Sequence, residues 1–319
     1  MIEIIVLILG LIGLWFGSDL VVAYSKRIAL KLGISELFIG LTIVSLGTTL
    51  PEMATSISAG IDTSLGINAS GIIIGNVLGS IITNISLILG IAGLLAVITT
   101  SKKELARDGT AMLAALIFLI LVSLDGNVNY FEGIALICIY LIYLYLISRS
   151  IEAIKVPARI TELSKNNPLF DLVMMAVGIL IIVLCADFVV SNAITISKQF
   201  NVSEVFIGLL IGLGTSLPEL SVSINAAMKK SFTLSLGNLM GANVTDPLLV
   251  LGLGAFFAKS AGLNFAYTDL LFTIPYAIAI TIIALAFLSY KNLLSKKRAL
   301  FLVASYIAFL GIEAWLFLG

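Results

Sequence analysis

The chain has 319 residues, 60% of them hydrophobic and 11% charged, with a formal net charge of zero and a mean hydropathy of +1.16. This composition excludes an ordinary soluble domain and points to an integral membrane protein, and neutrality gives no electrostatic basis for binding nucleic acid. Histidine is absent, and the two cysteines, Cys138 and Cys185, stand alone in apolar runs without metal-site or disulfide spacing.

A bilayer crossing takes about 20 mostly apolar residues. Ten such segments follow one another, at 2–24, 35–60, 68–98, 109–124, 131–148, 170–192, 203–228, 232–258, 268–288 and 299–318. No basic stretch precedes the first, which therefore reads as a retained span and not a cleaved signal. With the N-terminus outside, every lysine and arginine except Lys198 and Lys259 falls in an inward-facing loop, the bias that orients membrane proteins. The expectation is an all-α, multi-pass protein of the cell membrane, with ten transmembrane helices and both termini outside.

Within these spans the sequence repeats itself. Asp19-Leu20-Val21-Val22 returns as Asp187-Phe188-Val189-Val190, and Ser35-Glu36-Leu37-Phe38-Ile39-Gly40-Leu41 as Ser203-Glu204-Val205-Phe206-Ile207-Gly208-Leu209. Gly47-Thr48-Thr49-Leu50-Pro51-Glu52 is matched by Gly214-Thr215-Ser216-Leu217-Pro218-Glu219. Gly75-Asn76-Val77-Leu78-Gly79-Ser80 is matched by Gly237-Asn238-Leu239-Met240-Gly241-Ala242, with Asn84 or Asp246 four residues further on. Five spans per copy is an odd number, so the second copy is expected upside down relative to the first, a recurring transporter plan. The division is 1–148, a cytoplasmic linker at 149–168, and an inverted repeat at 169–319.

The motifs carry a definite chemistry. An ionisable group at mid-membrane costs about 2.5–3.5 kcal/mol on insertion scales and usually marks an ion or substrate pathway. Pro51 and Pro218 have no N–H, which frees the carbonyls of Gly47 and Gly214. With the hydroxyls of Thr48, Thr49, Thr215 and Ser216 and the carboxylates of Glu52 and Glu219 they offer an all-oxygen site. Such a set suits hard cations, and Ca²⁺, with its flexible shell of about 6–8 oxygens, better than Mg²⁺. Asn84 and Asp246 hold equivalent mid-membrane positions, so three potential negative charges meet. One divalent ion leaves one of them uncompensated, and Asp246 is expected to be protonated when Ca²⁺ is bound. Asn76, Asn238, Ser80 and Thr83 could instead tie helices together. Asp19 and Asp187 read as caps or loop anchors near span ends. Glu313, like Trp15 and Trp315, reads as an interfacial residue.

On these repeated motifs the chain resembles the cation/calcium exchanger superfamily, and within it the sodium/calcium exchangers of prokaryotic type, over essentially its whole length. The resemblance implies that Glu52 and Glu219 are the central Ca²⁺ ligands, helped by the carbonyls of Thr48 and Thr215. It also implies that Na⁺ shares these carboxylates, with the hydroxyls of Thr49, Ser216 and Ser80 and the carbonyls near Ser45 and Gly212 added. Asn84 and Asp246 match the family's polar pair. The activity implied is secondary active exchange of Ca²⁺ for Na⁺ by alternating access, with the first and sixth spans as sliding elements. Ca²⁺ and Na⁺ are then transported substrates, with no cofactor, no enzymatic activity and no obligatory protein partner.

Two departures bear on the coupling ion. Ala242 stands where the first repeat has Ser80, and Gly208 to Gly214 is one residue shorter than Gly40 to Gly47. Exchange of Ca²⁺ for H⁺, or dependence on K⁺, by the same fold therefore stays open. An ion channel is disfavoured by the internal two-fold repeat. An intramembrane enzyme is disfavoured by the lack of a histidine metal motif or a nucleophile–base pair.

Overall fold

The computed structural model describes residues 2–31, 45–150, 168–200, 202–228 and 232–318, and within them every long element is helical. Nine segments among these residues are long and apolar enough to cross a membrane. They correspond to all the expected spans but the second, which is described only from Ser45 onward. The Ser35–Leu41 repeat, most of the linker, Lys229 and Lys230 lie outside the described residues.

Chain order begins with α1 (Ile2–Lys31), a short helix α2 (Ser45–Thr48) and α3 (Leu50–Ser64). The third span is α4 (Ser70–Ile82), a wide π-type turn (Thr83–Ile88) and α5 (Leu89–Leu95). Strand β1 (Ile98–Thr99), α6 (Lys102–Ser123), β2 (Asn127–Val128) and α7 (Tyr130–Ser150) complete the first half. The second half holds α8 (Pro168–Phe200), α9 (Glu204–Thr215), α10 (Leu217–Met228) and α11 (Phe232–Thr245). A second π turn (Asp246–Val250) leads to α12 (Leu251–Ala258) and β3 (Leu263–Asn264). A third π turn (Asp269–Thr273), α13 (Ile274–Ser289), β4 (Leu293–Leu294) and α14 (Lys296–Leu318) close the chain.

The centre of the molecule is the third and eighth spans, buried over 94% and 83% of their apolar windows, against 22–33% for the fourth, fifth, sixth, ninth and tenth. The outer helices turn Leu9, Phe16, Leu141, Leu180, Leu184 and Ile307 outward. Such a surface would be an aggregation hazard in water and is the expected finish against lipid.

Glycine sets the closest crossing. A Cβ on Gly75 of α4 would stand 2.3 Å from the Val205 carbonyl oxygen of α9, and one on Gly212 would stand 2.6 Å from the Asn76 carbonyl oxygen. The two backbones touch without a side chain between them, as small residues permit in membrane helices. Along another seam α1 lies on α8, with Gly17 against Gly178.

The wide turns have identifiable causes. Pro247 opens the second and Pro275 follows the third, each withdrawing an N–H from the helical ladder. In the first, the Ser86 hydroxyl donates to the Ile82 carbonyl and competes with the backbone.

Two short antiparallel pairs clasp the loops: Ile98–Thr99 with Leu293–Leu294, and Asn127–Val128 with Leu263–Asn264. Each joins a loop of the first half to one of the second.

Two readings need correction. Asp19 and Asp187 are not helix caps: both are exposed within the long helices α1 and α8, which run on to Lys31 and Phe200. Glu313 does not face outward as an interfacial side chain would; unlike Trp15 and Trp315, which are exposed, it is buried against the protein.

Candidate functional site

The two Pro-Glu motifs each break a helix for a single residue. The chain leaves helical geometry at Thr49 (φ −82°, ψ 0°) between α2 and α3, and at Ser216 (φ −78°, ψ 8°) between α9 and α10. The proline follows in the first turn of the new helix, where its missing N–H does least harm. Ser203 caps the start of α9, its hydroxyl accepting the Val205 N–H at 3.2 Å.

At these breaks the motifs exchange contacts reciprocally. The Thr49 hydroxyl lies 3.3 Å from Glu219 Oε1, and the Ser216 hydroxyl 3.2 Å from Glu52 Oε1. Thr48 Oγ1 lies 3.3 Å from Asn238 Oδ1, and Thr215 Oγ1 3.2 Å from Asn76 Oδ1. The amide of Asn76 donates to Ser56 Oγ (3.2 Å), and that of Asn238 to Ser223 Oγ (3.2 Å). Asn76 also donates to the Glu52 carbonyl at 3.1 Å. The asparagines that could have served only as glue thus hold the glutamate-bearing segments in place.

The carbonyls of Ser45 and Gly212 are engaged from their own helices. Ser45 O lies 3.0 Å from the Thr48 hydroxyl and 2.9 Å from that of Thr49, while Gly212 O lies 3.3 Å from Thr215 and 2.8 Å from Ser216. Each hydroxyl has one hydrogen and at least two acceptors in reach. When Thr49 or Ser216 gives its hydrogen to the carbonyl, its lone pairs are released toward the opposite glutamate.

Ser80, on α4, joins this network to the wide turns. It lies 2.8 Å from Asp246 Oδ2 and 3.0 Å from the Ser216 hydroxyl, and accepts from Asn84 Nδ2 at 3.3 Å. Glu52, Glu219, Asp246 and Asn84 have no solvent exposure. Each keeps one oxygen without a hydrogen-bond partner: Glu52 Oε2, Glu219 Oε2, Asp246 Oδ1 and Asn84 Oδ1. Buried polar atoms are nearly always satisfied, so four orphaned acceptors, three of them on carboxylates, demand a cation or protons.

The structure therefore gathers Glu52, Glu219, Asp246, Asn84, Ser80, Thr49 and Ser216, with Thr48 and Thr215 bracing the breaks and Ser45 and Gly212 supplying braced carbonyls. Sequence reasoning missed the outer braces. Thr83 Oγ1 lies 3.2 Å from the Tyr306 hydroxyl and Thr245 Oγ1 3.3 Å from that of Tyr140, each one residue before Asn84 or Asp246. The threonines were visible as a repeated pair, but tyrosines on other spans could be matched to them only by the packing.

Two grooves approach the glutamate helices from equivalent positions. One, of about 510 Å³ between α3 and α8, is lined by Leu50, Met53, Ala54, Ile57 and Asp187 among others. The other, of about 360 Å³ between α1 and α10, is lined by Trp15, Leu217, Leu220, Ser221 and Ile224.

A family model described as sodium/calcium exchanger protein matches residues 2–149 and 170–315. The chain belongs to the sodium/calcium exchanger protein family. Among its relatives in the family is sodium/calcium exchanger MaX1 of Methanosarcina acetivorans, 31% identical over 97% of each chain. An uncharacterized membrane protein of Methanocaldococcus jannaschii, MJ0091, is 36% identical over 78% of this chain and 80% of its own. A structure of the sodium-calcium exchanger NCX_Mj, soaked with 2.5 mM Na⁺ and 0.1 mM Ca²⁺, superposes with a TM-score of 0.67 at 28% identity, covering 97% of both chains. This family member is a multi-pass membrane protein with the all-helical architecture of that exchanger.

Proposed function

We propose that the chain is a secondary active antiporter that exchanges Ca²⁺ for Na⁺ by alternating access, both ions competing for one acidic site in mid-membrane. The observation that carries this reading is the set of four unpartnered, buried oxygens on Glu52, Glu219, Asp246 and Asn84. Ca²⁺ takes the facing oxygens of Glu52 and Glu219, with the Thr48 and Thr215 carbonyls beside it. Na⁺ uses the same carboxylates with Thr49, Ser216 and Ser80, whose hydroxyls lie between alternative acceptors. Asp246 is protonated in the Ca²⁺ state, because one divalent ion neutralises only two of three carboxylates.

The same proposal includes ten spans in two inverted five-helix repeats, 1–148 and 169–319, with both termini outside and 149–168 in the cytoplasm. It is supported by the lysine and arginine distribution and by the reciprocal contacts between equivalent residues. The grooves behind the two glutamate helices, both beside α1 or α8, are then the two entrances. A site of bare carboxylates resists closure in a low-dielectric surround, so only a loaded site crosses.

The test is ⁴⁵Ca²⁺ uptake into proteoliposomes, comparing an outward Na⁺ gradient with an outward H⁺ gradient at fixed voltage. Uptake driven by Na⁺ and abolished by Glu52→Gln or Glu219→Gln is the expected result. Uptake driven by H⁺ alone would overturn the sodium coupling and leave the acidic site.

A further inference from the structure

A second pair of buried carboxylates lies on elements that carry none of the residues of the central site. Asp269 opens the third wide turn, before α13, and Glu313 lies in the last turns of α14. Neither side chain has any solvent exposure. Asp269 Oδ2 accepts the Ala266 N–H at 2.9 Å, and Glu313 Oε1 accepts the Thr273 hydroxyl at 2.7 Å. The remaining oxygens, Asp269 Oδ1 and Glu313 Oε2, have no hydrogen-bond partner. Thr273, whose hydroxyl Glu313 accepts, lies one turn along the same wide turn from Asp269. No lysine or arginine among the described residues pairs with either.

Three further features set this pair apart from a chance polar contact. Among the described residues three wide turns interrupt the helices; the other two contain Asn84 and Asp246, and this one contains both Asp269 and Thr273. Such turns are frequent at functional sites. Phe272, Tyr276 and Phe309 stack beside the cluster, with ring centroids 6.0 Å apart for Phe272–Phe309 and 4.6 Å for Tyr276–Phe309. Finally, the only acidic residue of α7, the fifth span, is Glu132 in its first turn, so that helix carries no counterpart of Glu313 near its end.

From this geometry we propose that Asp269, Thr273 and Glu313 form a second site, for a hard divalent cation of the Ca²⁺ class, between the starts of the third wide turn and the end of α14. Two carboxylate oxygens and a hydroxyl lone pair are hard ligands, and two ionised carboxylates match the charge of one divalent ion. Ca²⁺ tolerates an irregular oxygen set, whereas Mg²⁺ requires near-octahedral geometry. This site does not depend on the central one for its ligands. It is tied to it mechanically, since α14 also carries Tyr306, two turns from Glu313, whose hydroxyl meets Thr83 beside Asn84.

The experiment uses the full chain in detergent with Glu52→Gln and Glu219→Gln combined, so that the central carboxylate pair is gone. Equilibrium dialysis with ⁴⁵Ca²⁺ is expected to show about one bound ion per chain, weakened at least tenfold by Glu313→Gln and by Asp269→Asn. Ca²⁺ should also raise the thermal unfolding midpoint of the double variant and lose that effect with either added change. Thr273→Val, which keeps both carboxylates, should weaken binding less, and serves if the other variants do not fold. No bound Ca²⁺ in the double variant, or binding insensitive to these changes, overturns the proposal. So does binding of Na⁺ alone, or a pair that takes up only a proton. Transport measured on the same double variant tests the central site separately, because persistent exchange there would overturn that reading and leave the second site standing.

Discussion

Ser80 lies 2.8 Å from Asp246 Oδ2, and no mirror image of this contact exists, because the equivalents of these two residues are Ala242 and Asn84. One hydroxyl therefore stands among Asp246, Asn84 and Ser216, and the second half contributes none in return. The site is two-fold in its glutamates and one-sided in its third carboxylate. If Na⁺ binds as proposed, the Ser80 side offers it a hydroxyl ligand that the Ala242 side lacks.

Ser80→Ala tests that asymmetry. A hydrogen bond to a charged group contributes about 1.5–3 kcal/mol, which corresponds to roughly a tenfold or greater change in an equilibrium. The Na⁺ concentration giving half-maximal Ca²⁺ uptake should rise by about this factor, with a smaller effect on Ca²⁺ affinity. Proteoliposome flux at varied Na⁺ measures both.

Glu52→Gln and Glu219→Gln should separate function from stability. Each removes a buried charge and keeps the side chain's shape, so the ion-free protein should unfold at a temperature no lower than the unmodified chain. Stabilisation by Ca²⁺, about 2.7 kcal/mol at a concentration 100 times the Kd, should disappear. Thermal melts with Ca²⁺ and with chelator check both halves of the statement.

The braces outside the site should be energetically coupled to it. Thr83→Val and Tyr306→Phe each delete one end of a 3.2 Å contact. In a double-mutant cycle they should show an interaction of about 0.5–1.5 kcal/mol in stability. Ca²⁺ affinity should shift in the same sense, because Asn84 follows Thr83. Independent effects in the cycle would show that the hydroxyls do not act on each other.

Gly75→Val should disrupt the α4–α9 crossing. Even a Cβ would meet the Val205 carbonyl oxygen at 2.3 Å and the Gly208 Cα at 2.8 Å, and both are backbone atoms. Overpacking a tight interface costs about 1–3 kcal/mol or more. Loss of monodisperse protein in size-exclusion chromatography, or a sharply lowered melting temperature, is the expected outcome. Val at Gly311, where an added Cβ meets nothing within 4 Å, is the control.

The central residues were legible because they break a rule of their surroundings. A proline and a glutamate inside an apolar run, repeated in a second run, have few explanations in a membrane, and the structure gathers Glu52 with the motif of Glu219. Glu313 was hidden by its address: near a span end and beside Trp315, a carboxylate looks like an interfacial group. Its burial depends on how α14 packs against the turn at Thr273, which no local pattern encodes. The same holds for Tyr306 and Tyr140, whose partners lie 223 and 105 residues away. Asp19 and Asp187 were misplaced because the expected spans end at residues 24 and 192, little more than a turn beyond them, whereas the helices α1 and α8 continue to Lys31 and Phe200.

The two short β pairs act as buckles on a chassis. One joins the loop before α6 to the loop before α14, and the other joins the loop before α7 to the one after α12. Both fasten together helices of the third to fifth and eighth to tenth spans, at separate loops of the bundle. Neither reaches α1 or α8, which lie side by side with Gly17 against Gly178. The molecule is thus partitioned into a fastened frame and an unfastened pair, and a displacement of that pair need break no inter-strand hydrogen bond of either buckle.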